Sequence, residues 1–200
     1  MNLEFEGFPK IARLSRECTI SEKLDGSNIQ VVVGDDGQFL VGSRNRWITP
    51  EEDNFGFAKW AYENKEELMK LGVGRHFGEW VGSGINRKYG LINGEKRFYL
   101  FNTIKWCLYG TEPQRIPTND PRIEKYQEVA PKCCYIVPVL YRGIFTTQAV
   151  EDALLELKTN GSKAVPGFTN PEGVVVYHIA GNIYFKKTIE KDENYKGEMK

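Results

Sequence analysis

Neither sign of charge is in excess in this chain. Lys plus Arg number 27 and Asp plus Glu number 27, so the formal net charge is zero and no global field draws in nucleic acid. Any polyanion must then be held by a local basic patch. Histidine is scarce, with only His76 and His178, and the four cysteines Cys18, Cys107, Cys133 and Cys134 form no Cys-x-x-Cys pair. That excludes the usual zinc spacings and leaves the cysteines as reduced thiols of a cytosolic protein. No run of about 18 apolar residues occurs, and Met1 to Glu6 lacks a basic region followed by an apolar stretch. Neither membrane insertion nor secretion is indicated. Two hundred residues suit one domain that buries roughly 70% of its unfolded surface without disulfide staples.

What the chain does have is Ser21-Glu22-Lys23-Leu24-Asp25-Gly26-Ser27-Asn28, a lysine between two acids, at the end of an apolar run and just before a glycine. A free lysine has a pKa near 10.4, so at pH 7 only about one molecule in 2,500 carries the lone pair needed for attack. Neighbouring cations and desolvation lower that pKa, and a metal on a phosphate sharpens the electrophile. Lys23 is therefore a candidate nucleophile toward a nucleotide phosphate. The competing reading is a strand that turns at Asp25-Gly26 with Lys23 solvated.

In chain order, residues 1 to 17 form a lead-in with Phe5, Phe8 and Ile11 as expected core anchors. Cys18 to Lys23 and Ile29 to Val33 read as strands, and Phe39 to Gly42 returns as a hairpin partner after Gly34-Asp35-Asp36-Gly37. Arg44 and Arg46 follow, either facing the Lys23 pocket or solvated. A helix is expected from about Asn54, its N-cap, to Leu71, stopped by Gly72. Phe77 to Gly82 is a strand carrying Glu79 among apolar neighbours, an acid that must be paired or functional if buried. Arg87, Lys88 and Tyr89 sit on a glycine-flanked loop, and Tyr89 stacks on a base or packs. Arg97 to Asn102 alternates as a strand, with Phe101 or Tyr99 offered to a purine or all of it in the core. Residues 110 to 132 read as a loop or short irregular helix. Tyr135 to Leu140 is an edge strand interrupted by Pro138, and a helix runs from about Thr146 to Lys158. Glu172 leads the strand Gly173 to Tyr177, Gly181-Asn182 turns, and Ile183 to Lys187 returns with Lys186 and Lys187 at its end. Lys191 to Lys200 is a solvated tail.

The ordered series Glu22-Lys23-Leu24-Asp25-Gly26, Arg44, Gly78-Glu79, Tyr99-Leu100-Phe101, Glu172-Gly173 and Lys186-Lys187 resembles the motifs of the covalent nucleotidyltransferases, the superfamily of polynucleotide ligases and mRNA capping enzymes. The Lys-Leu-Asp-Gly-Ser-Asn form and the Glu-Gly-Val-Val-Val run resemble its RNA ligase branch, including short phage-type members. The similarity spans residues 21 to 188. It implies an α+β adenylation domain over residues 1 to 190, with antiparallel sheets and flanking helices around a nucleotide cleft. Its setting would be the cytoplasm, of the host if the protein is viral.

The resemblance also implies roles. Lys23 takes AMP from ATP as a phosphoramidate and releases pyrophosphate. Glu22 meets the adenine amino group, Phe101 stacks on the base, Glu79 binds the ribose hydroxyls, and Arg44 lies beside ribose and phosphates. Asp25 orients the lysine or its metal. Glu172 faces magnesium, with manganese as the alternative ion, and Lys186 contacts the α-phosphate. The implied reaction is ATP-dependent joining of RNA ends, a 5′-phosphate to a 3′-hydroxyl, with Arg46, Arg87, Lys88, Lys96 and Arg97 as candidate holders of the strand or simply solvated charges. The family's last block usually separates its two lysines by one residue. Here they are adjacent and on a strand face opposite sides, so Lys186 is taken as the inward one and the part played by Lys187 stays open. The chain stops soon after this block, which sets the expectation of no appended C-terminal domain and of a partner chain as one source of it. The rival functions are sealing of DNA, GTP-dependent guanylyl transfer of the capping kind, and a non-catalytic nucleotide- or RNA-binding module.

Overall fold

The computed structural model describes residues 4–106 and 130–190, and the expected loop at 110 to 132 falls mostly outside them, as do Cys107 and the tail from Lys191. Strand β1 (Glu17–Lys23) lies in a four-stranded sheet, and β2 (Ser27–Val33) lies in a six-stranded one. The turn at Leu24 to Gly26 thus passes the chain from one sheet to the other. In β2, Ile29, Val31 and Val33 are buried while Asn28, Gln30 and Val32 are half-buried, the period-two pattern of a strand with one face in a core.

The six-stranded sheet is completed by β3 (Phe39–Ser43), β4 (Trp47–Ile48), β5 (Gly74–Gly82), β6 (Lys96–Leu100) and β7 (Cys134–Ile136), in the order β4-β3-β2-β5-β6-β7. Its pairs are antiparallel except β6 with β7. Short helices α1 (Phe57–Glu63), α2 (Lys65–Leu68) and α3 (Thr103–Trp106) belong to its core side. Phe57, Ala58, Ala61 and Leu68 join Ile29, Val31, Val41, Trp80, Phe98 and Leu100 in one buried cluster.

The four-stranded sheet adds β8 (Val139–Ile144), β9 (Gly173–His178) and β10 (Ile183–Thr188), ordered β10-β9-β1-β8. Helix α4 (Thr147–Asn160) covers one face, with Ala149, Val150, Ala153, Leu154 and Leu157 against Cys18, Ile20, Val174 and Val176. Thr146 caps it by accepting from the Ala149 amide at 3.1 Å. A third cluster, Leu24, Val81, Tyr89, Leu91, Tyr99 and Val137 with Phe101 packed against it, joins β5 and β6 to the β1–β2 turn and to the connection between β7 and β8.

The α+β antiparallel architecture is as expected from the sequence, with four local corrections. Phe5, Phe8 and Ile11 are 96%, 86% and 82% exposed: apolar character alone placed them in the core, but this lead-in forms no strand or helix that could pack them. The single helix to Leu71 is two, broken at Asn64, because that residue leaves helical geometry. Its start is held by Asp53 rather than Asn54: the Asp53 carboxylate accepts from the amides of Ala58 at 2.7 Å and Lys59 at 3.0 Å, while Asn54 donates to the Ser27 hydroxyl. Finally, Pro138 does not interrupt one edge strand but separates two, β7 and β8, each at the edge of a different sheet. Among the described residues no helix is long and apolar enough to cross a membrane.

Candidate active site

Lys23 ends β1 at the level of Gly173, the first residue of β9. Glu172 stands just before that strand, and its Oε2 lies 2.5 Å from Lys23 Nζ, with both side chains about four-fifths covered at 22% and 18% exposure. Gly173 makes this approach feasible. Its φ is +155°, and a Cβ there would sit 2.2 Å from the Lys187 carbonyl of β10, so any side chain would push apart the strands that set the lysine against its acid. Gly26 does the same on the other side of the turn, where a Cβ would meet the Trp80 carbonyl of β5 at 2.3 Å.

The backbone around Lys23 is pinned by a group that the sequence left ambiguous. Tyr89, fully buried, accepts from the Asp25 amide at 3.0 Å and donates to the Lys23 carbonyl at 3.3 Å. One hydroxyl thus fixes the residues on either side of Leu24. Tyr89 packs on Phe168, so it belongs to the packing alternative and not to base stacking. Burial pushes its phenol pKa up, which keeps it a neutral donor and acceptor. The loop that delivers it holds Asn86, Lys88 and Tyr89 at φ of 31°, 60° and 49°, positive values that are costly for residues other than glycine.

Asp25 is engaged by the same loop. Asn86 donates to its Oδ1 at 2.9 Å and Arg87 Nε to its Oδ2 at 3.1 Å. Arg87 also donates to the Asn170 side chain at 2.7 Å, two residues before Glu172. Arg87 therefore ties the lysine's turn to the segment bearing its acid. Sequence reasoning offered Arg87 to a polyanion and missed Asn86 and Asn170, because nothing local links residues so far apart in the chain.

Glu79 enters from the other sheet, on β5 opposite Asn28, and accepts from the Gly26 amide at 3.1 Å. Burial, with the Glu172 and Asp25 carboxylates adding, pushes its pKa up to about 7 against the pull of the Gly26 amide and the Lys23 ammonium. Glu22, on β1, is buried at 1% exposure. Its Oε2 accepts from the amides of Lys163 at 2.8 Å and Ala164 at 2.9 Å, while Oε1 has no hydrogen-bond partner among the described residues. Burial raises its pKa, opposed by the Ser162 hydroxyl and those amides. The Ala164 carbonyl accepts from the Tyr99 hydroxyl at 2.9 Å. Half-buried Phe101, Ala164 and Val165 pack on the same small cluster, so an acid and an aromatic ring flank this part of the molecule.

Lys186 pairs with Val175 and Lys187 with Val174 on β9, while Val175 pairs with Ser21 on β1. Strand alternation puts Lys186 on the face of Ser21 and Lys23, and Lys187 on the face covered by α4. There Lys187 Nζ lies 2.5 Å from Glu151. Arg44 is exposed in the turn between β3 and β4, one residue past Ser43, which aligns with Ile29 and Gly78. That turn is therefore at the Glu79 end of the sheet. The other expected strand-holding cations are mostly committed within the chain. Arg46 donates to the carbonyls of Glu52 at 3.0 Å and Asp53 at 3.2 Å, Lys96 to Phe55 at 2.8 Å, and Arg97 to Glu95 at 2.6 Å. Lys88 is exposed.

Among the described residues no three His, Cys, Asp or Glu side chains converge as a metal cage. Glu172 nevertheless presents a carboxylate beside Lys23, and Asp25 is occupied by Asn86 and Arg87. One carboxylate in a partly open position fits magnesium, which keeps several of its waters.

A family model described as RNA ligase matches residues 16–191, while no curated protein matches. Among solved structures, a lysine-to-alanine mutant of Naegleria gruberi RNA ligase with ATP and Mn superposes with a TM-score of 0.55 at 22% identity, covering 91% of this chain and 52% of that one. A glutamate-to-alanine mutant of the same ligase with AMP and Mn gives 0.56 at 22% identity, over 92% and 53%. The ligase with PPi gives 0.56 at 21%, over 90% and 53%. The chain spans about half the length of these neighbours, and at this identity they establish the fold.

Proposed function

The chain belongs to the RNA ligase family, and from that premise we propose that it is the adenylyl-transfer domain of an ATP-dependent RNA ligase that joins a 5′-phosphate to a 3′-hydroxyl. The observation that carries the reading is the Lys23–Glu172 contact at 2.5 Å, set where the two sheets meet and within reach of Glu79. Lys23 attacks the α-phosphorus of ATP as the neutral amine, the bond to pyrophosphate breaks, and a phosphoramidate forms. The proton that Lys23 must shed leaves to water, to which the side chain is 22% exposed, while the ion pair with Glu172 holds the amine in place. Lys186, on the face of Lys23, suits the charge that develops on the α-phosphate.

Recognition falls to the surrounding groups. The unpartnered Oε1 of Glu22 is the kind of buried acceptor whose cost an incoming exocyclic amine would remove, which favours adenine. Phe101 supplies the stacking surface. Glu79, ionised above about pH 7, accepts from ribose hydroxyls, and Arg44 lies toward the phosphates. Magnesium, when bound, supplies neutralisation of the triphosphate charge, and Glu172 would hold it. AMP then passes to the RNA 5′-phosphate and is displaced by the 3′-hydroxyl, steps that rest on positioning and charge neutralisation.

Intact mass spectrometry after incubation with ATP and magnesium, then with GTP, tests this. An acid-labile gain of one AMP with ATP, absent from Lys23→Ala, is expected. A GMP adduct would make it a capping-type enzyme, and no adduct in folded protein would contradict the covalent mechanism.

A further inference from the structure

The open face of the six-stranded sheet carries more than the groups assigned to the nucleotide. Register draws one line of side chains across it: Trp47 on β4 faces Gly42 on β3, Gly42 faces Gln30 on β2, and Gln30 faces Phe77 on β5. The Phe77 carbonyl then accepts from the Phe101 amide at 3.0 Å. Residues opposite one another in a sheet share a face, and here it is the face away from the core, since Ile29, Val31, Val41 and Ile48 point the other way. Trp47 and Phe77 are 48% and 46% exposed. A single exposed aromatic is ordinary. Two on one line, beside a cation, call for an explanation.

The cation is Arg75, two residues before Phe77 on β5 and so on the same face. Its guanidinium sits 5.7 Å over the Trp47 ring and donates to the Gln30 side chain. Arg44, in the neighbouring β3–β4 turn, is exposed as well. Gly42 keeps the line low between Trp47 and Gln30, whose amide would lie 3.0 Å from a Cβ at that position. Three strand spacings separate β5 from β4, about 14 Å, so the two rings act as separate platforms.

We propose that this line is the path of a single-stranded stretch of the RNA, leading away from the nucleotide pocket at Phe101 and Glu79, with Phe77 and Trp47 stacking bases and Arg75 facing the backbone. The proposal rests on the RNA ligase reading above. Only unpaired bases have faces free to stack on protein aromatics, whereas a duplex offers phosphates and groove edges. Uncharged rings with one or two arginines, rather than a broad basic band, match the first kind of ligand.

The test is fluorescence anisotropy of the full chain with a labelled, short single-stranded oligoribonucleotide, competed by a duplex of the same sequence. Trp47→Ala and Phe77→Ala are each expected to weaken single-strand binding by about fivefold or more without changing its salt dependence. Arg75→Gln should lower the slope of log affinity against log salt by about one. Because these side chains are exposed, the variants should keep the thermal midpoint and form the AMP adduct as the parent does. Unchanged single-strand affinity in the two aromatic variants, or preferential duplex binding that they do not affect, would overturn the path. A parent chain that binds RNA through these rings but forms no adduct would instead overturn the ligase reading and leave the path standing.

Discussion

Lys23 and Lys186 come from the four-stranded sheet and Glu172 from the segment entering it, whereas Glu79 and the Phe101 segment come from the six-stranded sheet. The first sheet is sealed on one side by α4 and brings a cation and an anion to 2.5 Å. The second has a larger core and an open face with aromatic and amide groups. In the proposed reaction the reacting charges therefore lie on one sheet and most of the recognition on the other. Changes on the first should act on rate and changes on the second on affinity.

The largest effect should be that of Lys23→Ala, with loss of the AMP adduct in a protein whose melting curve stays cooperative. Next, Glu172→Ala should slow single-turnover adenylylation by about 10²–10³-fold, the scale of removing one preorganised charge partner, with a smaller change in the ATP concentration for half-maximal rate. An affinity change without a rate change would erase the distinction between the sheets.

Glu79 sharpens it from the other side. Its pKa is raised to about 7 in the native state, so the native state holds the proton more tightly than the unfolded chain does. The associated stability is complete below the ordinary carboxylate range and is lost as pH rises through about 7. Urea unfolding should show up to about 3 kcal/mol less from this group at pH 8 than at pH 4, a loss that Glu79→Gln removes. ATP affinity should rise over the same interval as the carboxylate ionises. Tyr89→Phe should lower the adenylylation rate by about tenfold with ATP affinity little changed, since it frees the backbone at Lys23 and Asp25 but touches no nucleotide group. The smallest effect should be that of Thr146→Ala, about 1 kcal/mol of stability from the lost α4 cap, measured by denaturant midpoint, with no change in either kinetic quantity.

Much of this organisation was legible in the chain. The alternation in β2 and the turn at Gly26 could be read because strand periodicity and turn chemistry are local, while the family resemblance singled out Lys23, Glu79 and Glu172, which the structure brings together. The adjacency of Lys186 and Lys187 resolved by the same alternation once β9 and β10 were paired. What sequence could not supply was long-range. Tyr89 reaching back to Lys23 and Arg87 bridging Asp25 to Asn170 depend on how the loop after β5 lies against the β1–β2 turn. The apolar lead-in with Phe5 and Phe8 misled because hydrophobicity signals burial only where a neighbouring element exists to cover it.

The most direct test is to locate the nucleotide. After reaction with ATP and magnesium, proteolysis and tandem mass spectrometry under conditions that preserve the phosphoramidate should find AMP on the peptide containing Lys23 and on its side-chain nitrogen. AMP on Lys186 or any other lysine would contradict the assignment of Lys23 as nucleophile.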